Sequence, residues 1–243
     1  MKSNINVFFG GIAALLLVCS VMFTGCIMEL PEDTTLNSKL GAGSLNLEGF
    51  VYEYDSLYRS YAPTGVLTNK TVRAYAGSSN PYASTSLISS LGTIDRNGIF
   101  SITLNPISDR SSVLVPLSSA EFRNLGEGIF SFTPWGNITV YPGTVKYAAI
   151  DLYVYNGNSR LRSLSKKEHL QFGGKMVRYV WVDADVTIRG ERGTGFLTTA
   201  REFTLKLTRG WNAIYITDSL ELSFPWYVDV SLGDADVYWS YSR

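Results

Sequence analysis

The sequence predicts an all-β protein, and three observations carry that expectation. From Ser44 onward Tyr, Val, Thr, Phe and Trp are abundant. Apolar and polar residues alternate over short runs, and helical periodicity is not sustained. Alternation of this kind arises because successive side chains point to opposite faces of a strand. The runs recur between turn clusters without intervening helices, which favours antiparallel β-sandwiches over βαβ units.

Taken in order, strands are expected at Leu45–Tyr54, Lys70–Ala76, Ile99–Leu104, Gly128–Thr133, Asn137–Tyr141 and Val145–Tyr155. They continue with Met176–Arg189, Arg201–Leu207, Asn212–Ile216, Trp226–Val230 and Asp236–Tyr241. Met176–Arg189 alternates most cleanly: Val180, Val182, Ala184, Val186 and Ile188 share one face, and Tyr179, Trp181, Asp183, Asp185 and Thr187 share the other. Phe203, Leu205 and Leu207 alternate likewise, and Arg209-Gly210 then reads as a hairpin turn into Trp211-Asn212. Ser118-Ser119-Ala120-Glu121 has capping-box spacing and predicts one short helix, ended by Leu125-Gly126. Turn signals at Thr133-Pro134-Trp135-Gly136 and Tyr141-Pro142-Gly143 divide the β region into two expected sandwich modules, 44–142 and 143–243. A single interlocked sandwich is the alternative.

The chain opens with one basic residue, Lys2, and an almost wholly apolar stretch from Val7 to Phe23. That stretch is longer than a usual secretory core and shorter than a membrane span of about 20 residues. Its exit is decisive: Phe23-Thr24-Gly25-Cys26 sets two small residues before a cysteine. The pattern resembles the lipobox of bacterial lipoprotein precursors, with Phe23 standing where Leu is usual. The resemblance implies that residues 1–25 are a signal peptide and that Cys26 becomes the acylated first residue. Ile27 to Gly43 is polar, acidic at Glu29, Glu32 and Asp33, and ends Gly-Ala-Gly; with Cys26 it forms an expected flexible tether, 26–43.

The only cysteines are Cys19 and Cys26, so cleavage and acylation leave no thiol for a disulfide. Loss of Lys2 with the leader leaves 20 basic residues, 21 less one, against 21 acidic. That balance gives no electrostatic case for nucleic acid or for anionic membrane surfaces. Attachment to the membrane is expected through the lipid alone, because a multi-chain anchor holds stably. Ile27 after the acylated cysteine favours a place in the cell envelope at the outer membrane.

Leu47-Glu48-Gly49-Phe50-Val51, Thr71-Val72-Arg73-Ala74-Tyr75-Ala76 and Gly92-Thr93-Ile94-Asp95-Arg96-Asn97-Gly98-Ile99-Phe100 together resemble the carboxypeptidase-regulatory-like, or transthyretin-like, β-sandwich. In the last motif Asp95 and Asn97 can bond turn amides, Gly98 can take positive φ, and Phe100 returns to the core. The resemblance covers about 60 residues and implies a fold, not an activity. Tyr179-Val180-Trp181-Val182-Asp183-Ala184-Asp185-Val186 and Leu207-Thr208-Arg209-Gly210-Trp211-Asn212 are similar to uncharacterised lipoproteins of spirochaete-type bacteria.

Candidate chemistry is sparse. Asp183 and Asp185, at i and i+2 on one strand face, stand about 7 Å apart and could serve acid–base work or Ca²⁺. Asp229, Asp234 and Asp236 lack a Ca²⁺-loop pattern. His169, the single histidine, lies in the polar run Arg160–His169, which reads as a solvated loop. Without partners it builds neither a zinc site nor a triad. No enzyme, metal or cofactor is expected. Aromatics are the remaining resource: Tyr52, Tyr54, Tyr58, Tyr61, Tyr75 and Tyr82 early, and Trp211, Trp226, Trp239 and Tyr241 late. Rings on an exposed β surface stack on sugars or anchor proteins. The binding residues expected are Trp181, Asp183, Asp185 and Trp211. The expected function is therefore a non-catalytic, lipid-anchored binding protein for a glycan or protein, or alternatively a structural subunit of an envelope assembly.

Overall fold

Fifteen strands and one short helix account for the residues that the computed structural model describes: 43–55, 60–77, 85–125, 135–169, 173–192, 201–219, 227–233 and 237–242. The leader, Cys26, most of the tether and the expected strand Gly128–Thr133 lie outside them. The first half supplies β1 (Leu45–Asp55), β2 (Ser60–Pro63), β3 (Lys70–Gly77), β4 (Thr85–Ile94), β5 (Ile99–Leu104), β6 (Val115–Pro116) and α1 (Ser119–Leu125). Then come β7 (Trp135–Tyr141), β8 (Lys146–Asn156), β9 (Ser159–His169), β10 (Gly173–Val182) and β11 (Val186–Arg192). The chain finishes with β12 (Arg201–Leu207), β13 (Gly210–Ser219), β14 (Tyr227–Leu232) and β15 (Trp239–Ser242).

The fold is all-β, and its main sheet closes on itself. Pairing runs β1–β5–β4–β3–β8–β10–β9–β15 and returns to β1, making an eight-strand barrel. Strands from either side of residue 142 share this sheet: β3 runs against β8 from Thr71↔Tyr155 to Gly77↔Ala149. The last strand closes the ring, lying parallel to β1 from Val51↔Trp239 to Tyr54↔Ser242. All described residues belong to one compact unit, Leu36–Arg243.

Alternation explains the barrel core. Leu45, Leu47 and Val51 of β1, Phe100 and Ile102 of β5, and Val72 and Ala74 of β3 point inward with Leu152, Leu164, Tyr179, Trp239 and Tyr241. Gly49 makes room for the last strand: a Cβ there would sit 2.7 Å from the Trp239 ring. Instead the indole lies against the bare backbone and donates from Nε1 to the Glu48 carbonyl at 3.0 Å. The turn into β5 forms as its sequence requires. Asp95 Oδ1 accepts from the amides of Asn97 and Ile99, both at 2.8 Å, and Gly98 takes φ 79°.

A second core lies outside one wall. β12, β11 and β7 form a three-stranded sheet, and with α1 they cover the outer face of β8, β10 and β13. Tyr147, Val180, Val182, Ile214, Ile188, Leu205 and Phe122 meet there. The helix begins as predicted, with Ser118 Oγ accepting the Glu121 amide at 3.2 Å. The Glu121 carboxylate accepts the Tyr147 hydroxyl.

Two covered faces overturn three sequence expectations. Met176–Arg189 is not one strand with a core side and a solvent side. It bends at Asp183–Asp185, leaving the large sheet as β10 and entering the small one as β11, with Ala184 exposed. Arg209-Gly210 is not a hairpin turn, since β12 pairs with β11 while β13 pairs with β10 and β14; the turn carries the chain back between sheets. Arg160–His169 is not a loop but lies wholly within β9, a barrel stave needing few inward apolar residues, mainly Leu164 with Leu161 partly buried beside it.

Candidate functional site: aromatic faces of the barrel

Even-numbered residues of β1 face outward, and from Phe50 they are aromatic. Phe50 stands opposite Ile99, Tyr52 opposite Pro63 and Tyr54 opposite Tyr61. The rings connect in series. Tyr52 meets Tyr238 at 4.9 Å, Tyr238 meets Tyr61 at 4.7 Å, and Tyr61 meets Tyr54 at 5.0 Å. Tyr54 then stacks on His169 at 4.1 Å and 14°. Exposure is graded along this strip: Phe50 is 58% exposed and Tyr238 40%, while Tyr54 is buried beneath its neighbours. The accessible end is Phe50, Ile99, Tyr52 and Tyr238.

His169 and Tyr61 are both held uncharged at neutral pH. Burial, with Lys167 assisting, pushes the His169 imidazole down to about 4. Burial pushes the Tyr61 phenol up to about 12, against the opposing pull of the His169 amide that donates to its oxygen. His169 is therefore a half-buried neutral ring in the wall, where a solvated histidine was expected. Its folded pKa lies below the ordinary 6.5, so the unfolded chain takes up the proton first as pH falls. Stability should be full above about pH 6.5, decline toward about pH 4, and depend less on pH in His169→Phe. Denaturant midpoints measured at about pH 5 and about pH 7 check this; an unchanged pH difference in the variant would contradict it.

A second outward face spans β4, β3, β8 and β9. Register places Leu91, Arg73 and Tyr153 in one row, Leu87, Tyr75 and Asp151 in the next, and Tyr155 beside Arg160. Arg160 covers the Tyr153 ring at 3.5 Å and Arg73 the Tyr155 ring at 4.3 Å. The Tyr75 and Tyr155 hydroxyls share a bond of 2.7 Å, which pushes the Tyr155 phenol up.

The four residues nominated by sequence lie elsewhere. Trp181 and Trp211 are opposite each other on β10 and β13 and pack edge to face at 5.2 Å. Both are buried in the barrel-side core and offer no surface to a ligand. Asp183 and Asp185 sit at the crossing between sheets, where both are partly or fully exposed. Asp183 Oδ1 accepts the Lys146 amide at 2.8 Å, and Asp185 Oδ1 the Arg209 amide at 2.7 Å. They bind the bend to its neighbours.

Over the outer face of the small sheet, Asn137, Thr139, Arg189, Glu202 and Thr204 line a shallow, open depression around Gly190, with mixed charge. Among the described residues no group of three or more His, Cys, Asp or Glu side chains is placed to hold a metal ion.

Sequence reasoning singled out Tyr52, Tyr54, Tyr61 and Tyr75 but missed Phe50, Tyr238, Tyr153, Tyr155 and His169. For Phe50 the signal was present, since it shares parity with Tyr52 against the inward Leu45, Leu47 and Val51. Compared with protein-family models, curated proteins and solved structures, the chain finds no match.

Proposed function

We propose that this chain is a non-catalytic extracytoplasmic lipoprotein, anchored through acyl chains on Cys26 at the outer membrane. It binds a glycan or protein partner through the accessible end of the aromatic strip. The observation that supports the binding reading is the exposure of Phe50 beside Ile99, Tyr52 and Tyr238 on a rigid sheet. Rings held by neighbouring rings lose little freedom when a ligand stacks on them, and tyrosine hydroxyls supply hydrogen bonds at the rim. An apolar strip with hydroxyls suits the apolar faces and hydroxyl edges of a neutral sugar chain. The transthyretin-like resemblance of the first half stays with this reading as a proposal for the ancestry of β1, β3 and β5.

A glycan array probed with the lipoprotein in detergent, followed by affinity measurement on a bound glycan, tests it. Phe50→Ala and Tyr238→Ala should each weaken binding by about tenfold or more while leaving the melting temperature nearly unchanged. Retained affinity in both variants would place the partner elsewhere.

The second reading, a structural subunit that exchanges a terminal strand between copies, draws on β15. That strand has four residues, ends the described chain and is held by pairing with β1 and β9.

A further inference from the structure

We propose that the outer face of β4, β3, β8 and β9 docks the barrel onto a bilayer bearing anionic headgroups. The proposal rests on the lipoprotein reading for the presence of a membrane beside the domain, and it assigns this face a role separate from the aromatic strip.

Leu91 is 72% exposed and Leu87 52%, although each stands on a paired strand of a folded sheet. An isolated exposed leucine needs no explanation, but two on one strand beside tyrosines and arginines form an organised surface. Across the rows the chemistry changes in order. The leucines lie on β4. Arg73 and Tyr75 follow on β3, Tyr153 and Tyr155 on β8, and Arg160 on β9. This is the composition of a membrane interface: aliphatic groups for the acyl boundary, the half-buried Tyr75 and Tyr153 at headgroup depth over a buried Tyr155, and guanidiniums for phosphate.

Charge on the face favours an anionic surface. The Arg73 and Arg160 guanidiniums stand over the Tyr155 and Tyr153 rings at 4.3 and 3.5 Å, which holds two positive charges on this face. Arg73 spends one nitrogen on the Gly157 carbonyl and Asn158 Oδ1, and a guanidinium has further N–H donors. The acid within the rows, Asp151, is answered by Arg178 at 3.9 Å. In a chain with equal numbers of acidic and basic residues, this concentration of arginine is local.

Register also sets the position of the tether. Leu45 begins β1 opposite Leu104, and Asn46 lies opposite Thr103. β4 pairs with β5 at Thr93↔Ser101 and Ile94↔Phe100, so going back along β4 from Thr93 toward Leu91 and Leu87 leads to that same barrel end. The expected tether therefore joins the domain at the end where the exposed leucines stand. A chain drawn to the bilayer by its anchor would bring this face close to it.

The test uses the full chain with Cys19→Ser and Cys26→Ser, carrying Leu91→Cys labelled with an environment-sensitive fluorophore. It is added to vesicles of phosphatidylcholine alone or with phosphatidylglycerol. The emission should shift blue on the phosphatidylglycerol vesicles and be quenched by bilayer-embedded quenchers. The same label at Thr204→Cys, on the small sheet, should stay aqueous. Arg73→Gln and Arg160→Gln should each lower the ratio of docked to undocked label by about fivefold. A Leu91 label that stays aqueous on phosphatidylglycerol vesicles overturns the proposal. So does a response equal on both vesicle types and indifferent to the arginine variants. Because the vesicles supply the bilayer, either outcome is independent of whether Cys26 is acylated in the cell.

Discussion

Trp211→Ala should lower unfolding stability by about 3–5 kcal/mol, the range for truncating a fully buried aromatic side chain. Trp211 is fully buried in the barrel-side core and packs edge to face on Trp181, so its removal costs both burial and a ring contact. Its indole N–H finds no acceptor among the described residues, so nothing polar is newly orphaned by the change. Against a total stability of about 5–15 kcal/mol for an ordinary domain, this loss is large. Denaturant unfolding followed by tyrosine and tryptophan fluorescence measures it. A variant as stable as the parent, but impaired in binding a partner, would return Trp211 to the surface role its sequence context suggested.

Removing residues 237–243 should have the larger effect, abolishing the cooperative fold. The segment closes the barrel between β1 and β9, and its pairing with β1 is parallel. Val237, Trp239 and Tyr241 are all buried in the core. Trp239 stacks on Tyr179 at 6.0 Å and tilts against Phe100 at 4.8 Å. Tyr241 donates to Glu53 Oε2 at 3.2 Å, and its hydroxyl also lies 3.2 Å from Thr64 Oγ1. Loss of two such aromatic side chains costs about 3–5 kcal/mol each by the same measure, which consumes most domains' margin. The deletion also leaves β1 and β9 as facing unpaired edges, a template for aggregation. Near-ultraviolet circular dichroism and a thermal scan should show no native transition. A truncated chain that melts cooperatively near the parent temperature would show that the barrel does not depend on its last strand. If it melts so and also loses multimers formed by the parent, the strand-exchange reading gains instead.

The β class was legible because alternation follows from strand geometry whatever the topology. Leu45, Leu47 and Val51, or Phe203, Leu205 and Leu207, announce a buried face in any sheet. The Asp95–Gly98 turn was legible for the same local reason. Closure was not. β9 carries four Lys and Arg residues and only two leucines, because a barrel stave flanked by paired strands needs only a little apolar surface facing inward. β4, rich in serine, reads as turn-forming. Yet it runs so close to β5 that a Cβ on Gly92 would lie 2.4 Å from the Ser101 carbonyl oxygen.

The burial of Trp181 and Trp211 was hidden for a related reason. A strand covered on both sides shows the same alternation as one with a wet face, so Trp181 could not be told from an exposed ring. In β10, Val180 and Val182 enter one core while Tyr179 and Trp181 enter the other. Nothing local distinguishes that from an aromatic platform. Asp183 and Asp185 looked paired because the bend that separates the strands is set by contacts with Lys146 and Arg209, distant in sequence.

Every inference about where this protein works depends on the fate of the sulfur at position 26. Mass spectrometry of the protein purified from its native membrane decides it. A lipoprotein should be recovered as a chain beginning at Cys26, with a diacylglyceryl group in thioether linkage and the leader gone. Recovery of the initiating methionine, or an unmodified thiol at Cys26, would contradict it.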